Sequence, residues 1–231
     1  MSTEMPRGQG DADASARTAS SSPPTGEAEP DRVTTAMKSA SDPRVLGAVA
    51  LENTAVSVWR RTQADSLRSW IARSVSAGFP DIRAVLRVSD VKASLDEAFE
   101  AAGLSDDPAR DAFVRDIADL ARRFSEIATT PRLRLRLEAV DHVVCPSFHI
   151  DSLRARLICT YFGRGTEFGA ARPDGEPKRV IELSTGEVAV FRGLHWPGHE
   201  TTGVVHRSPQ TKPGEMRLVL VIDPDEAEPW H

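Results

Sequence analysis

Residues 132–138 read Arg132-Leu133-Arg134-Leu135-Arg136-Leu137-Glu138, a strict alternation of leucine with charge. In an extended chain successive side chains point to opposite faces, so the three leucines share one face and the charges share the other. That is the pattern of a half-buried strand. Downstream come short strand-like runs at 143–148, 157–161, 179–183, 187–191, 203–206 and 216–222. Gly163, Gly165, Gly186, Pro197, Pro209 and Gly214 punctuate them. Short strands broken by glycine and proline indicate a β-sandwich or barrel rather than alternating βαβ units.

Upstream of Pro131 the period is helical, and residues 44–130 read as a helical region. In 64–77 the apolar positions Leu67, Trp70, Ile71 and Val75 fall on one helical face, with Gly78 as the stop. A second helix is expected over 89–102, ending at Gly103. A third opens at Asp107-Pro108, a cap followed by proline at the first helical position. Its stripe is Phe113, Ile117, Leu120, Phe124 and Ile127. Residues 1–43 are rich in Ser, Ala, Pro, Gly and acid, and nearly devoid of large apolar side chains. Such a segment buries too little surface to offset its ordering entropy and is expected to be a disordered tail. The organisation is therefore three-part: tail 1–43, helical region 44–130, β domain 131–231.

The chain has 231 residues and a net charge of −5, with 40% hydrophobic and 27% charged residues. Overall charge gives no electrostatic reason to expect nucleic acid as a partner. No apolar run approaches the roughly 20 residues of a membrane helix, and no membrane partner is expected. The start lacks a basic segment followed by an apolar one, and two cysteines, Cys145 and Cys159, make no disulfide framework. The expected location is the cytoplasm. Substrate and oligomeric state have no signature.

The chemistry-bearing dyad is His149-Ile150-Asp151. On extended chain, His149 and Asp151 face one way and Ile150 the other, so an imidazole and a carboxylate can share a metal. His206 follows in Val204-Val205-His206-Arg207-Ser208-Pro209, and Arg217 opens the apolar run Leu218–Ile222. Two histidines and one carboxylate make the facial triad of non-haem Fe(II) oxygenases, which leaves three coordination positions open. A 2-oxo acid and O₂ fit those positions, and Arg217 could hold the far carboxylate of the acid through two parallel hydrogen bonds.

Several runs, "CPSFHID", "RLICTYFGRGTEF", "GEVAVFRG", "HRSP" and "RLVLVID", resemble the bacterial domain-of-unknown-function family 1826. More distantly, the order of these motifs from about Leu133 to Asp223 is similar to Fe(II)/2-oxoglutarate-dependent dioxygenases. The resemblance implies an α+β fold, with the N-terminal helical region packed on a C-terminal double-stranded β-helix, jelly-roll or cupin-like. It implies His149, Asp151 and His206 as ligands of Fe(II), and Arg217 as the 2-oxoglutarate binder. Tyr161 and Ser208 are placed by position beside the same co-substrate. The implied activity is hydroxylation of an unknown substrate, coupled to decarboxylation of 2-oxoglutarate. A β region of about 100 residues is short for a full eight-stranded barrel.

Other readings use the same residues. A non-catalytic, cupin-like protein could hold zinc or iron at the triad. His142, Cys145, His149 and Cys159 could hold zinc through softer ligands. His195 and His199 are expected in a loop near His206, with Trp196 as a cover for the pocket mouth. Glu167 could face a substrate, and Arg154 and Arg156 rival Arg217 as carboxylate binders.

Overall fold

The computed structural model describes residues 32–104, 107–212 and 214–225. It is a mixed α/β structure rich in sheet. The strands are β1 (Arg32–Thr34), β2 (Met37–Ala40), β3 (Val56–Trp59), β4 (Ile82–Arg87), β5 (Arg132–Val140) and β6 (Ala155–Phe162). There follow β7 (Glu167–Ala170), β8 (Ile181–Glu182), β9 (Val188–Arg192), β10 (Glu200–Thr202), β11 (Val204–Arg207) and β12 (Arg217–Pro224). The helices are α1 (Asp65–Ser76), α2 (Val91–Ala101) and α3 (Pro108–Ala128).

A seven-stranded sheet in the order β2-β3-β9-β6-β12-β5-β4 dominates, and β11-β7-β8 form a smaller sheet. β1 and β10 pair in parallel. Each face of the large sheet meets a different layer, because alternation divides its side chains. Leu133, Leu135 and Leu137 of β5 share a buried cluster with Phe113, Ile117, Leu120 and Phe124 of α3. Leu157, Cys159 and Tyr161 of β6 and Leu218, Leu220 and Ile222 of β12 belong to it too. Phe99 and Phe113 stack at 6.0 Å, and Tyr161 meets Phe113 edge-on at 4.7 Å. Each such pair contributes roughly 0.5–1.5 kcal/mol beyond area burial. On the opposite face, Val56, Val58, Ala189, Phe191 and Ile158 pack with Phe168 and Val204 of the small sheet.

The helices form where the apolar stripes fall. Asp107 caps α3, its carboxylate accepting from the Ala109 amide at 2.7 Å. Gly78 and Gly103, just past α1 and α2, take positive φ.

Three expectations need correction. Residues 44–130 are not wholly helical: β3 and β4 lie there and enter the large sheet. β3 reads Val-Ser-Val-Trp, too short for its period to be told from that of a helix turn. The run 143–148 is not a strand. The expected tail overruns its boundary, since β1 and β2 fall between 32 and 43; residues 1–31 lie outside the described residues. The upstream strands also resolve the shortage in the β region, because β2, β3 and β4 supply three of the seven strands. Among the described residues no helix is long and apolar enough to cross a membrane.

Candidate metal centre

One backbone exchange brings the histidines together. The His149 amide donates to the His206 carbonyl at 3.1 Å, and the His206 amide donates back to the His149 carbonyl at 3.0 Å. This isolated antiparallel bridge fastens the segment before β6 to β11, and leaves the two imidazole centroids 4.6 Å apart. Asp151 lies two positions on. Its Oδ1 stands 3.5 Å from His149 Nε2, and its Oδ2 stands 3.2 Å from His206 Nε2. One ligand atom from each residue can be chosen so that all lie within 4.8 Å of one another, the sole such group among the described residues.

The donor set fits a small transition-metal ion. Three donors on one face of an octahedron, each about 2.1 Å from an ion, stand about 3 Å apart; here one ligand atom from each residue lies within 4.8 Å of the others, so a small closure of the side chains would gather them round an ion. His149 Nδ1 is 3.0 Å from the Ser147 carbonyl, which selects the Nδ1–H tautomer and leaves the Nε2 lone pair facing Asp151. Asp151 Oδ2 is buried without a well-aligned hydrogen-bond donor. A buried acceptor left in this state costs about 1–3 kcal/mol unless something meets it.

Electrostatics keep the site anionic at its centre. Burial works to raise the Asp151 pKa, but the two imidazoles and the Arg156 guanidinium outweigh it and hold the carboxyl far below its usual range. Burial depresses His206, favouring the neutral imidazole that a metal needs. The His149 pKa is raised chiefly by Asp151, whose carboxylate accepts from Nε2–H of the protonated ring; a metal bound at Nε2 would take that proton's place.

His149, His206, Arg217, Arg136, Val219 and Ser208 line one cavity. Arg217 is 2% exposed. Its Nε donates to the Arg164 carbonyl at 2.7 Å, and its Nη2 reaches Thr160 Oγ1 at 3.4 Å. It has no carboxylate within ion-pair distance among the described residues. Desolvation lowers its pKa to about 10, which leaves it cationic at neutral pH.

The rivals are engaged elsewhere. Arg156 binds Asp223 through two bonds of 2.7 Å and also pairs with Asp151. Arg154 donates to the Ala128 carbonyl at 2.7 Å. Glu167, in β7, is held by Arg207 at 2.8 Å.

Tyr161 is corrected by parity. It lies in the helix-facing core and its hydroxyl donates to Asp116 Oδ2 at 2.6 Å. On β6 the cavity face carries Arg156, Ile158 and Thr160, so Thr160 meets Arg217. The buried set Leu157, Cys159 and Tyr161 was the available signal. Arg156 and Asp223, the pair behind Asp151, have no sequence signature as a pair, because their contact crosses β6 and β12.

The cysteines do not meet. Cys145 is exposed beside the cavity, whereas Cys159 is buried on the helix side of the sheet. His142 is exposed and contacts Asp141. His195 and His199 are exposed, and Trp196 lies over Arg192 instead of covering the cavity.

The profile of a family described as "Protein of unknown function (DUF1826)" matches residues 40–223. No curated protein matches the sequence. Among solved structures, the chain is similar to a dioxygenase for auxin oxidation from Arabidopsis thaliana, in a complex with 2-oxoglutarate. The two are 11% identical over 82% of this chain and 92% of that one, with a TM-score of 0.51. The rice dioxygenase for auxin oxidation is 16% identical over 74% of each chain, TM-score 0.44. A Pseudomonas putida prolyl-4-hydroxylase is 15% identical over 78% of this chain and 95% of that one, TM-score 0.40.

Proposed function

The chain belongs to the DUF1826 family, and from the geometry of its cavity we propose an Fe(II)- and 2-oxoglutarate-dependent oxygenase-like protein acting on a substrate still to be identified. Its two facing sheets are then a double-stranded β-helix. His149, Asp151 and His206 are the iron ligands, and Arg217 receives the far carboxylate of the 2-oxo acid. One observation carries the reading: a buried arginine with no carboxylate in ion-pair reach among the described residues lines the same cavity as His149 and His206, two members of the His–Asp–His cluster. A protein that only stored or sensed a metal would have no use for that cation. The 2-oxoglutarate complex of the Arabidopsis enzyme, which shares the fold, supports the choice of co-substrate.

Iron and a 2-oxo acid, when bound, supply oxidative decarboxylation coupled to hydroxylation. The chain supplies the rest. His149 presents Nε2 because Ser147 holds Nδ1–H. Asp151 stays ionised because the two imidazoles face it and Arg156 stands behind it. Arg217 is pinned by the Arg164 carbonyl, so its fork is oriented before any ligand arrives. Ser208 lines the cavity, and its Oγ lies 3.4 Å from the Cys145 amide, steadying the segment that leads to His149. Val219 and Ile158 give the cavity an apolar stretch of wall.

The test is an anaerobic titration of the protein with Fe(II) and then 2-oxoglutarate, followed by visible absorbance. A charge-transfer band of the chelate is expected in the wild type and lost in Asp151→Ala. In Arg217→Ala the band should need at least 10-fold more 2-oxoglutarate. Absence of the band, with stoichiometric zinc retained in wild type, would instead favour the non-catalytic cupin-like reading.

A further inference from the structure

The polar residues behind the metal centre form a series of alternating charge. Asp151 accepts from Arg156, Arg156 clasps Asp223, and Asp223 Oδ2 lies 3.5 Å from Arg136 Nη2. The series begins at a ligand residue and ends on a cation that it does not satisfy. Arg156 already occupies both oxygens of Asp223 with short bonds. Among the described residues Arg136 keeps one long contact, and its buried Nε has no hydrogen-bond partner. Glu138, on the same face of β5, is taken by Arg83.

The register makes this placement costly. Arg136 stands directly opposite Arg83 across β4 and β5, and Arg132 stands opposite Arg87. Like charges facing one another across strands are destabilising. The fold alone does not call for a guanidinium at 136, where the cross-strand neighbour on β12 is Val221.

Arg136 opens into the same cavity as His149, His206 and Arg217. Val219 and Val221 separate its end from the Arg217 end. Arg217 pairs in register with Val140 and Arg136 with Val221, so the two arginines enter about 14 Å apart along β12. Their side chains are also tied to different groups, Arg217 to Thr160 and Arg164, Arg136 to Asp223. One short 2-oxo acid does not need both.

We propose that Arg136 is a specificity-determining residue that receives the anionic group, carboxylate or phosphate, of the substrate oxidised at this centre. The proposal rests on the oxygenase reading for the word "substrate", but the anion site itself does not. The oxidised carbon then lies beside His149 and His206, the anion is anchored at the β5 end, and the valines of β12 contact what joins them.

The test uses calorimetry, with inorganic phosphate and propionate as separate probes. Both are titrated into the full chain alone, and into the chain loaded anaerobically with Fe(II) and saturating 2-oxoglutarate. Saturation fills Arg217, so any remaining anion binding reports another site. At least one probe is expected to bind the loaded wild type saturably. Its affinity should fall 10-fold or more in Arg136→Gln and recover in part in Arg136→Lys, which keeps the charge but not the fork. Preference between the probes distinguishes phosphate from carboxylate. The 2-oxoglutarate affinity of Arg136→Gln should stay within 2-fold of wild type. Equal binding of both probes to wild type and Arg136→Gln, or no binding to wild type, overturns the proposal. Arg136-dependent anion binding in a chain that never binds 2-oxoglutarate would leave the anion site standing and remove the oxygenase reading instead. Far-UV circular dichroism of both variants shows whether a loss reflects unfolding.

Discussion

Asp151 is a carboxylate with an arginine on one side and two imidazoles on the other, and its role depends on what Arg156 does. Arg156 is a positioning residue: its planar fork holds Asp223 while its remaining nitrogen turns Asp151 toward the histidines. Lysine keeps the charge and loses the fork. Arg156→Lys is therefore expected to fold and to bind Fe(II), or Co(II) as a stable substitute, roughly 10–100-fold more weakly, the usual cost of losing support behind a ligand. Unchanged affinity in a metal titration would show that Asp151 needs no such support. The two thiols offer a second check on side-chain placement. Burial pushes the Cys159 thiol up to about 12, whereas Cys145 is exposed. Iodoacetamide at pH 8 should label the native protein once, at Cys145, and the denatured protein twice, as read by mass spectrometry. Of the candidate site, the grouping of His149, Asp151 and His206 is legible in the sequence, because the parity of 149 and 151 and the later histidine carry the information. Arg156 and Asp223 were visible only as charges of the right parity, because what joins them is the register between β6 and β12.

At the scale of elements, the site depends on how the segment 151–154 is held. It forms no strand, and it is tied to residues 193–195 by backbone bonds. The Leu194 amide donates to the Asp151 carbonyl at 2.9 Å, and the Gly193 amide to the Arg154 carbonyl at 2.9 Å. A Cβ on Gly193 would stand 1.9 Å from the Leu153 carbonyl oxygen, a backbone atom that cannot yield cheaply. Gly193→Ala should thus lower Tm and weaken metal binding together, with no ligand altered. A variant that binds metal normally would show that Asp151 is placed by its side-chain partners alone. Tyr161→Phe makes the opposite separation. It removes a bond to Asp116, which Arg61 also holds, on the far side of the large sheet. Stability should fall by roughly 1.5–3 kcal/mol, the range for hydrogen bonds to charged groups, while 2-oxoglutarate binding is unchanged. Tyr161 lies on the expected strand, but its parity turns it to the helix side. Its neighbours Leu157 and Cys159 already marked the buried face. The hydrophobic period located most downstream strands, but β7 was hidden, because Glu167-Phe168-Gly169-Ala170 is too short and too small to alternate.

Across the whole molecule, one buried cluster spans the division at residue 131. The clear α3 stripe and the Leu133–Leu137 alternation were both legible, and they are the two halves of one buried cluster. What the local pattern could not reveal was that β3 and β4, embedded among helices, pair with β9 and β5. Pairing across such sequence distances is set by tertiary packing and has no local signature. The consequence can be tested by removing the upstream part. A fragment of residues 131–231 keeps His149, Asp151, His206 and Arg217, all the residues of the candidate centre. It loses β2, β3 and β4 from the large sheet, together with Phe99, Phe113, Ile117, Leu120 and Phe124 from the cluster over β5, β6 and β12. Its leucine face would be bare, and both edges of the remaining sheet would offer unpaired backbone groups, a template for aggregation. It is therefore expected to be insoluble or non-cooperative in thermal unfolding, and to bind no metal at the triad. A soluble fragment with a sharp transition and Asp151-dependent metal binding would show instead that the β region stands alone and that the helices serve another purpose. Phe113→Ala in the full chain approaches the same question more gently. It opens a void where Trp70, Phe99 and Tyr161 meet, at a cost of about 3–5 kcal/mol. If helices and sheet unfold as one, near- and far-UV circular dichroism should lose signal at the same, lowered temperature.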